Sequence, residues 1–308
     1  MTSEKNPGSH NAERFDMADK ADKKFGSKKH GIPDWIRPAR FDRSSYLDTL
    51  AVIESCGLDT VCKEANCPNR YECFSQKTAT FLVLGPVCTR DCLYCNVKKG
   101  SPSKVDQDEP QRIAFAAKKL GLYHVVITSV TRDDLPDGGA SHLVSVVGAL
   151  RKTREKCSIE LLIPDLKGDE RSLKLVVAAR PDIINHNIEV VEGLFSKLRP
   201  MGNFQRSLAL LKKVKDIDAS IKTKSGLMIG FGETIPQIID TLKKLKEIRC
   251  DIVTIGQYLQ PSSSHAPVER YYTPAEFDYL EKRGYDLGLS LVRSGPLVRS
   301  SYAAHEEA

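Results

Sequence analysis

The sequence predicts an α/β protein: a partial (β/α)6 barrel, TIM-like in plan, with N-terminal and C-terminal extensions covering its open side. Three observations predict it. From Ala79 onward six short apolar runs recur, and helix-period segments separate them. The runs are nearly continuously apolar, as strands of a parallel sheet buried on both faces are. Six units are too few to close an eight-stranded barrel, so the sheet is expected to stay open.

Residues 1–30 are polar, poor in aliphatic side chains and dense in Lys, Asp, Ser and Gly, which predicts a disordered arm. Glu4, Glu13, Asp16, Asp19 and Asp22 argue against a transit peptide, which would be poor in acids. Residues 31–78 form an N-terminal extension with three cysteines. The barrel body is expected over 79–290, with strands at 79–84, 125–130, 159–163, 183–188, 225–230 and 252–259. One helix starts at Pro110 in the N1 position, runs through Ile113, Ala117 and Leu120, and stops at Gly121. Another starts at Pro236 and spaces Ile238, Leu242, Leu245 and Ile248 at helical period. Residues 291–308 form a C-terminal segment containing VRSSY.

Composition narrows the classes of function. At 41% hydrophobic residues the chain can bury a sizeable core, and no apolar run reaches membrane-spanning length. The formal charge of +6 suits an acidic protein partner or nucleic acid. Basic residues are interleaved with acids and no aromatic-spaced RNA motif is present, so neither nucleic acid nor membrane is expected as a partner. No secretory signal pattern is seen, and a cytoplasmic location with reduced thiols is expected.

Six of the nine cysteines fall into two triplets, Cys62/Cys67/Cys73 and Cys88/Cys92/Cys95. Zinc sites usually take paired CxxC ligands, whereas these are triplets with unequal gaps, CxxxxCxxxxxC and CxxxCxxC. Each iron of a cubane takes one outer ligand, so three thiolates leave one iron of a [4Fe–4S] cluster open to another ligand. Cys56, Cys157 and Cys250 stand apart and read as buried bystanders.

The fold locates the second triplet. In parallel α/β folds ligands gather at the carboxyl ends of the strands, and the loop with Cys88 follows the first strand directly, after a Gly85-Pro86 break. Thr128 and Ser129, Asn185 with Asn187 and Glu189, Lys224, and Gln257 with Tyr258 occupy equivalent strand-end places and together ring one mouth. Taken one at a time, each is more often a capping or turn residue than a ligand.

The loop CTRDCLYC resembles the signature of radical S-adenosylmethionine enzymes, and that resemblance implies that Tyr94 lies beside the adenine. Further segments narrow it to the lipoyl synthase family. CKEANCPNRYECF is similar to that family's auxiliary-cluster motif, and VVITSVTRDDLPDGGA, NHNIEVVEGLF, TKSGLMIGFGET, GQYLQPSSSHAPVERYYTPAEF and VRSSY follow in the family's order. The resemblance spans Pro33 to Tyr302 and is specific, since two cysteine triplets with a terminal RSSY are a rare combination.

This resemblance implies two [4Fe–4S] clusters and S-adenosylmethionine. Cys88, Cys92 and Cys95 would ligate the cluster whose open iron binds S-adenosylmethionine, reductively cleaved to a 5′-deoxyadenosyl radical. Tyr94, Thr128, Ser129, Asn185, Glu189 and Lys224 are the candidate S-adenosylmethionine contacts. Cys62, Cys67 and Cys73 would ligate the auxiliary cluster, closed by Ser301. The implied reaction inserts two sulfur atoms, drawn from the auxiliary cluster, at C6 and C8 of an N6-octanoyl-lysine on a lipoyl domain or a glycine-cleavage H protein. A low-potential electron donor and a cluster-repair carrier are implied as further partners. An alkoxide matches a soft, sulfur-rich cluster less well than a thiolate, so the Ser301 bond is expected to be labile.

Two departures from the family's usual wording stand out. Leu93-Tyr94 and Asn96 replace more familiar residues in the cysteine loop while keeping the aromatic, and Ser262-Ser263-Ser264 replaces a more basic stretch where a carrier would dock. Weaker motifs add little. Gly230-Phe231-Gly232 lacks the third glycine of a dinucleotide loop, because position 235 is Ile. Arg132-Asp133-Asp134 reads equally as a turn or as a ligand contact, and His186 as a packed strand residue. Two other readings stay open: a radical enzyme acting on a free metabolite, as biotin synthase does, and a two-cluster electron carrier, which four-cysteine ligation would normally mark.

Overall fold

The computed structural model describes residues 31–154, 156–302 and 304; the arm expected over 1–30 lies outside the described residues. An N-terminal extension comes first: α1 (Arg43–Ser55), β1 (Asp59–Thr60), α2 (Val61–Glu64) and α3 (Arg70–Ser75). The sheet then runs through β2 (Thr80–Val83), β5 (His124–Ser129), β6 (Ser158–Leu162), β7 (Ile183–Asn185), β8 (Lys222–Ile229), β9 (Ile252–Gln257) and β10 (Leu291–Gly295). A two-residue pair, β3 (Val87–Cys88) and β4 (Lys98–Lys99), forms a separate parallel ribbon in the loop after β2.

The sheet order is β1-β2-β5-β6-β7-β8-β9-β10, parallel from β2 to β10, with β1 antiparallel at the far edge. Among the described residues the two edge strands are not paired with each other, so the barrel is partial. The six expected strands all form. β10 adds a seventh parallel strand, in a stretch the sequence reading had assigned to the C-terminal segment. Its sequence, LVRSG, has one adjacent apolar pair and buries only Val292 fully, so it lacks the continuous apolar signature of the inner six.

Seven helices, α4 (Glu109–Leu120), α5 (Ala140–Thr153), α6 (Glu170–Ala178), α7 (Glu192–Leu198), α8 (Phe204–Ile217), α9 (Ile235–Glu247) and α10 (Pro274–Asp286), follow the strands. Their ends obey local chemistry. Gly121 closes α4 at φ 72°, a left-handed conformation in which glycine carries no Cβ penalty. Thr234 and Gln237 form a capping box at α9, as Thr273 and Glu276 do at α10. Ile113, Ala117, Leu143, Val147, Leu242 and Leu245 pack the helices onto the buried faces of Ile127, Ile159, Leu161 and Val253. No helix among the described residues is long and apolar enough to cross a membrane.

Candidate active site

The cysteine loop is fixed before its first cysteine. Leu84 and Gly85, at φ 68° and 82°, turn the chain out of β2. Left-handed backbone is unfavourable for leucine and needs support from its surroundings. The Leu84 N–H donates to Glu109 Oε2 at 3.0 Å, and its carbonyl accepts from Arg132 Nη1 at 3.0 Å. His142 Nε2 lies 2.6 Å from the same Glu109 oxygen.

Inside the loop, Arg90 is 5% exposed and turns inward. Its Nε and Nη2 form a fork on Asp133 at 2.8 and 3.0 Å, and Nη2 also donates to Asp165 Oδ1 at 2.7 Å. The loop is thereby tied to the segments after β5 and β6. Asp133 thus belongs to a clamp, and Arg132 holds Leu84. Two outer bonds complete the loop: the Leu93 N–H donates to Leu198 O at 2.9 Å, and His265 Nε2 lies 3.1 Å from Cys95 O.

The first triplet sits on short helices. Cys62 lies in α2, whose N-cap Thr60 Oγ1 accepts from Lys63 N at 3.3 Å, and Cys73 lies in α3 beside the buried Phe74. Among the bonds that tie this extension to the rest, three lie close to the cysteines. Buried Asn69 donates from Nδ2 to Leu297 O at 2.6 Å, Tyr302 donates to Glu72 Oε1 at 3.0 Å, and Asn96 donates to Glu64 O at 2.9 Å. The extension therefore contacts both the C-terminal segment and the chain just past Cys95 directly. Gly256 makes the approach of the C-terminal segment possible, because a Cβ there would lie 2.1 Å from Val298 O.

All six cysteines of the triplets line one cavity of about 350 Å³, together with Ser300 and Ser301. Tyr94, Thr128, Ser129 and Glu189 share its wall. Asn185 and Lys224 do not, and here the expectation is corrected. Lys224 Nζ lies 3.2 Å from Glu160 Oε2 and Asn185 Nδ2 donates to Glu160 Oε1 at 2.8 Å, all three fully buried. A buried carboxylate demands such partners: Lys224 balances the charge of Glu160 and Asn185 donates it a hydrogen bond.

The wall has residues that the strand-end pattern did not reveal. Arg199, nearly buried after α7, donates to Asn187 O at 3.2 Å; burial opposes its charge, but Tyr94, Glu189 and Cys92 around it hold its proton more firmly. Glu189, at φ 70°, has its carboxyl pushed up by burial, against the pull of Arg199. Arg299 is in the opposite position, its guanidinium destabilised by burial and supported by Cys67. Ser129 Oγ and Asn187 Oδ1 are buried without a protein partner. Tyr94, Phe231 and Tyr258 form an aromatic run, with Phe231 and Tyr258 stacked at 4.1 Å and Tyr94 6.2 Å from Phe231. Nothing in the local sequence LeuArgPro marks Arg199, since the helix that delivers it is recognisable only in the folded chain. His186 is buried and hydrogen-bonded just past the end of β7, with Nδ1 2.8 Å from Ile163 O and Nε2 2.9 Å from Ser207 Oγ.

The donor set suits iron–sulfur clusters. Burial pushes the Cys62 and Cys95 thiols up to about 12, so bound cationic iron is what would make them thiolates. Among the described residues no three His, Cys, Asp or Glu side chains converge on a point for one metal ion; a cubane takes its thiolates one per iron, spread around it. Opposite charges beside unpartnered polar atoms, with an aromatic run, also suit a zwitterionic nucleoside.

Fold and cysteine loop together define a radical S-adenosylmethionine protein: the Radical SAM superfamily profile matches residues 82–245. The same fold occurs in Streptococcus suis SuiB bound to S-adenosylmethionine (TM-score 0.55, 14% identity, 74% of this chain and 56% of that one). It occurs again in methylornithine synthase (TM-score 0.52, 14% identity, 71% of this chain and 72% of that one). At such identity these two speak for the fold alone. Lipoyl synthase of Caldanaerobacter subterraneus subsp. tengcongensis is 50% identical over 88% of this chain and 95% of its own. Lipoyl synthase of Rubrobacter xylanophilus is 48% identical over 91% of this chain and 87% of its own. The chain belongs to the lipoyl synthase family. It is therefore a sulfurtransferase with [4Fe–4S] clusters and S-adenosylmethionine as cofactors and lipoyl carriers as substrates.

Proposed function

We propose that Cys88, Cys92 and Cys95 ligate the cluster that binds S-adenosylmethionine, and that Cys62, Cys67 and Cys73 with Ser301 ligate the auxiliary cluster. The substrate is an N6-octanoyl-lysine on a lipoyl domain or H protein, converted to lipoyl-lysine by sulfur insertion at C6 and C8. The carrying observation is that both triplets and Ser301 line one cavity. Bound there, the clusters and S-adenosylmethionine supply a reducing electron, a radical initiator and sulfide.

The chain's own residues bind, orient and exclude. Arg199 and Glu189 have the charges to take the carboxylate and amino groups of S-adenosylmethionine. Ser129 Oγ and Asn187 Oδ1 have free hydrogen-bonding capacity for its polar atoms, Thr128 lies beside them in the wall, and Tyr94 offers a face to the adenine. Leu82, Val97, Leu162, Leu227 and Met228 give the wall an apolar character suited to an octanoyl chain and hostile to water. The bonds from Asn69 to Leu297 and from Tyr302 to Glu72 hold Ser301 against the same cavity as the first triplet. A low-potential electron donor, a cluster-repair carrier and a cytoplasmic, reducing compartment complete the reading.

Anaerobic reconstitution of the protein and of two triple Cys→Ala variants tests the ligand sets. Iron content should halve in each. Only the variant lacking Cys62, Cys67 and Cys73 should retain reductive cleavage of S-adenosylmethionine. Full iron in either variant would refute the assignment.

A further inference from the structure

We propose that the exposed basic ribbon behind the cysteine loop is the docking surface for an acidic one-electron donor protein. This rests on the assignment of Cys88, Cys92 and Cys95 to the S-adenosylmethionine-binding cluster. Three observations carry it. Both residues of β4, Lys98 and Lys99, are exposed, and the register pairs Val87 with Lys98 and Cys88 with Lys99. The Gly100 N–H donates to Cys88 O at 3.0 Å, so solvent-facing backbone lies one hydrogen bond from a cluster-ligating residue. Lys104 extends the exposed positive charge along the same segment, which Arg132 Nη2 pins by donating to Ser103 O at 3.0 Å.

The charge is available to a partner. Asp106 and Asp134, flanking carboxylates, are engaged by Arg112 at 2.9 Å and Arg132 at 2.8 Å, leaving exposed Asp91 as the acid within the cysteine loop itself. The cavity side of the loop faces substrate, and the chain 262–266 covers part of its flank through the Ala266 N–H to Leu93 O bond at 2.9 Å. An electron enters most directly from the ribbon side. Electron-transfer complexes are small and transient, and charge complementarity sets their orientation and on-rate, so a short lysine ribbon is the right size of site. The step moves one electron: the donor is oxidised by one, the cluster is reduced by one, and no atom or proton is exchanged.

The test uses the reconstituted holoenzyme with reduced flavodoxin as an acidic protein probe and dithionite as a small reductant. In Lys98→Glu/Lys99→Glu, the KM for flavodoxin in S-adenosylmethionine cleavage should rise at least about tenfold. The dithionite-driven rate should stay unchanged, and the salt-sensitive binding of flavodoxin by the unaltered enzyme should be lost. Lys98→Arg/Lys99→Arg should restore both donor readouts. Unchanged flavodoxin KM and binding in the Glu variant would overturn the proposal, as would an equal loss of the dithionite-driven rate, which would make the ribbon a mere support. Failure of the unaltered enzyme to cleave with dithionite would overturn the cluster assignment instead.

Discussion

Arg90 shows how one side chain can decide the geometry of a reactive loop. Its guanidinium joins two carboxylates from different loops, and one of them, Asp165, is 1% exposed. Burial works to raise the Asp165 carboxyl, but the Arg90 hydrogen bond and charge hold it below the usual range. Arg90→Ala leaves that buried carboxylate with the weaker support of Arg206 at 3.5 Å and the Lys167 N–H at 3.2 Å, and should cost about 3 kcal/mol of stability. A denaturant midpoint of the apo-protein measures this, and a midpoint equal to that of the unaltered protein would show the clamp to be idle. His186 gives a pH signature. Burial, helped by Arg199 and Arg90 and opposed by the Ile163 carbonyl and Asp165, lowers it from 6.5 to about 4. Its folded-state pKa lies below the unfolded value, so between about 4 and 6.5 the unfolded chain binds more protons and stability is lost as the pH is lowered. Apo-protein should be about 2 kcal/mol less stable at pH 5 than at pH 7 from this group. His186→Gln should flatten that slope in urea titrations at the two pH values. At this scale the cysteine triplets were legible from their spacing and Tyr94 through the resemblance of its loop, and all of them line the cavity. Lys224 and Asn185 were misread because a strand-end position says nothing about Glu160, which meets them from β6 only after folding.

At the level of elements, the inner strands were legible because burial on both faces leaves a continuous apolar record, as in VVIT of β5 or IVTI of β9. Edge strands leave none: β1 has two residues and β10 one adjacent apolar pair, and both gain their identity from pairing with β2 and β9. β9 also sets the place of the C-terminal segment. Gly256→Ala would put a methyl group 2.1 Å from Val298 O, forcing the stretch before Ser301 away from the strand. That variant should cost about 1–3 kcal/mol and make the bond after Arg299 more sensitive to trypsin, with the barrel fragment intact. Equal cleavage rates in the two proteins would mean that the segment finds its place without β9. Ser301→Cys addresses the same element chemically. A thiolate at that position should preserve iron content and slow sulfur insertion, as measured by single-turnover lipoyl formation, and undiminished turnover would reject lability as the reason for serine.

Across the whole molecule, the partial barrel supplies one cavity, the N-terminal extension its second set of thiols and the C-terminal segment its two serines. Asn69 to Leu297, Glu72 to Tyr302 and Asn96 to Glu64 are long-range bonds, so the coming together of Cys62–Cys73, Cys88–Cys95 and Ser301 is a property of the folded chain. The sequence could show that two triplets exist, and spacing could exclude paired zinc ligands. It could not show that they face one another, because their separation along the chain carries no distance. The central claim is that this shared cavity lets sulfur pass from the site of Cys62, Cys67, Cys73 and Ser301 to an octanoyl-lysine. The direct measurement is mass spectrometry of an octanoyl-lysyl peptide after one turnover by protein reconstituted with ³⁴S-sulfide, in buffer containing unlabelled sulfide. The account predicts a lipoyl product with both sulfurs labelled and loss of iron from the auxiliary site. A product carrying unlabelled sulfur, with the auxiliary iron intact, would contradict it.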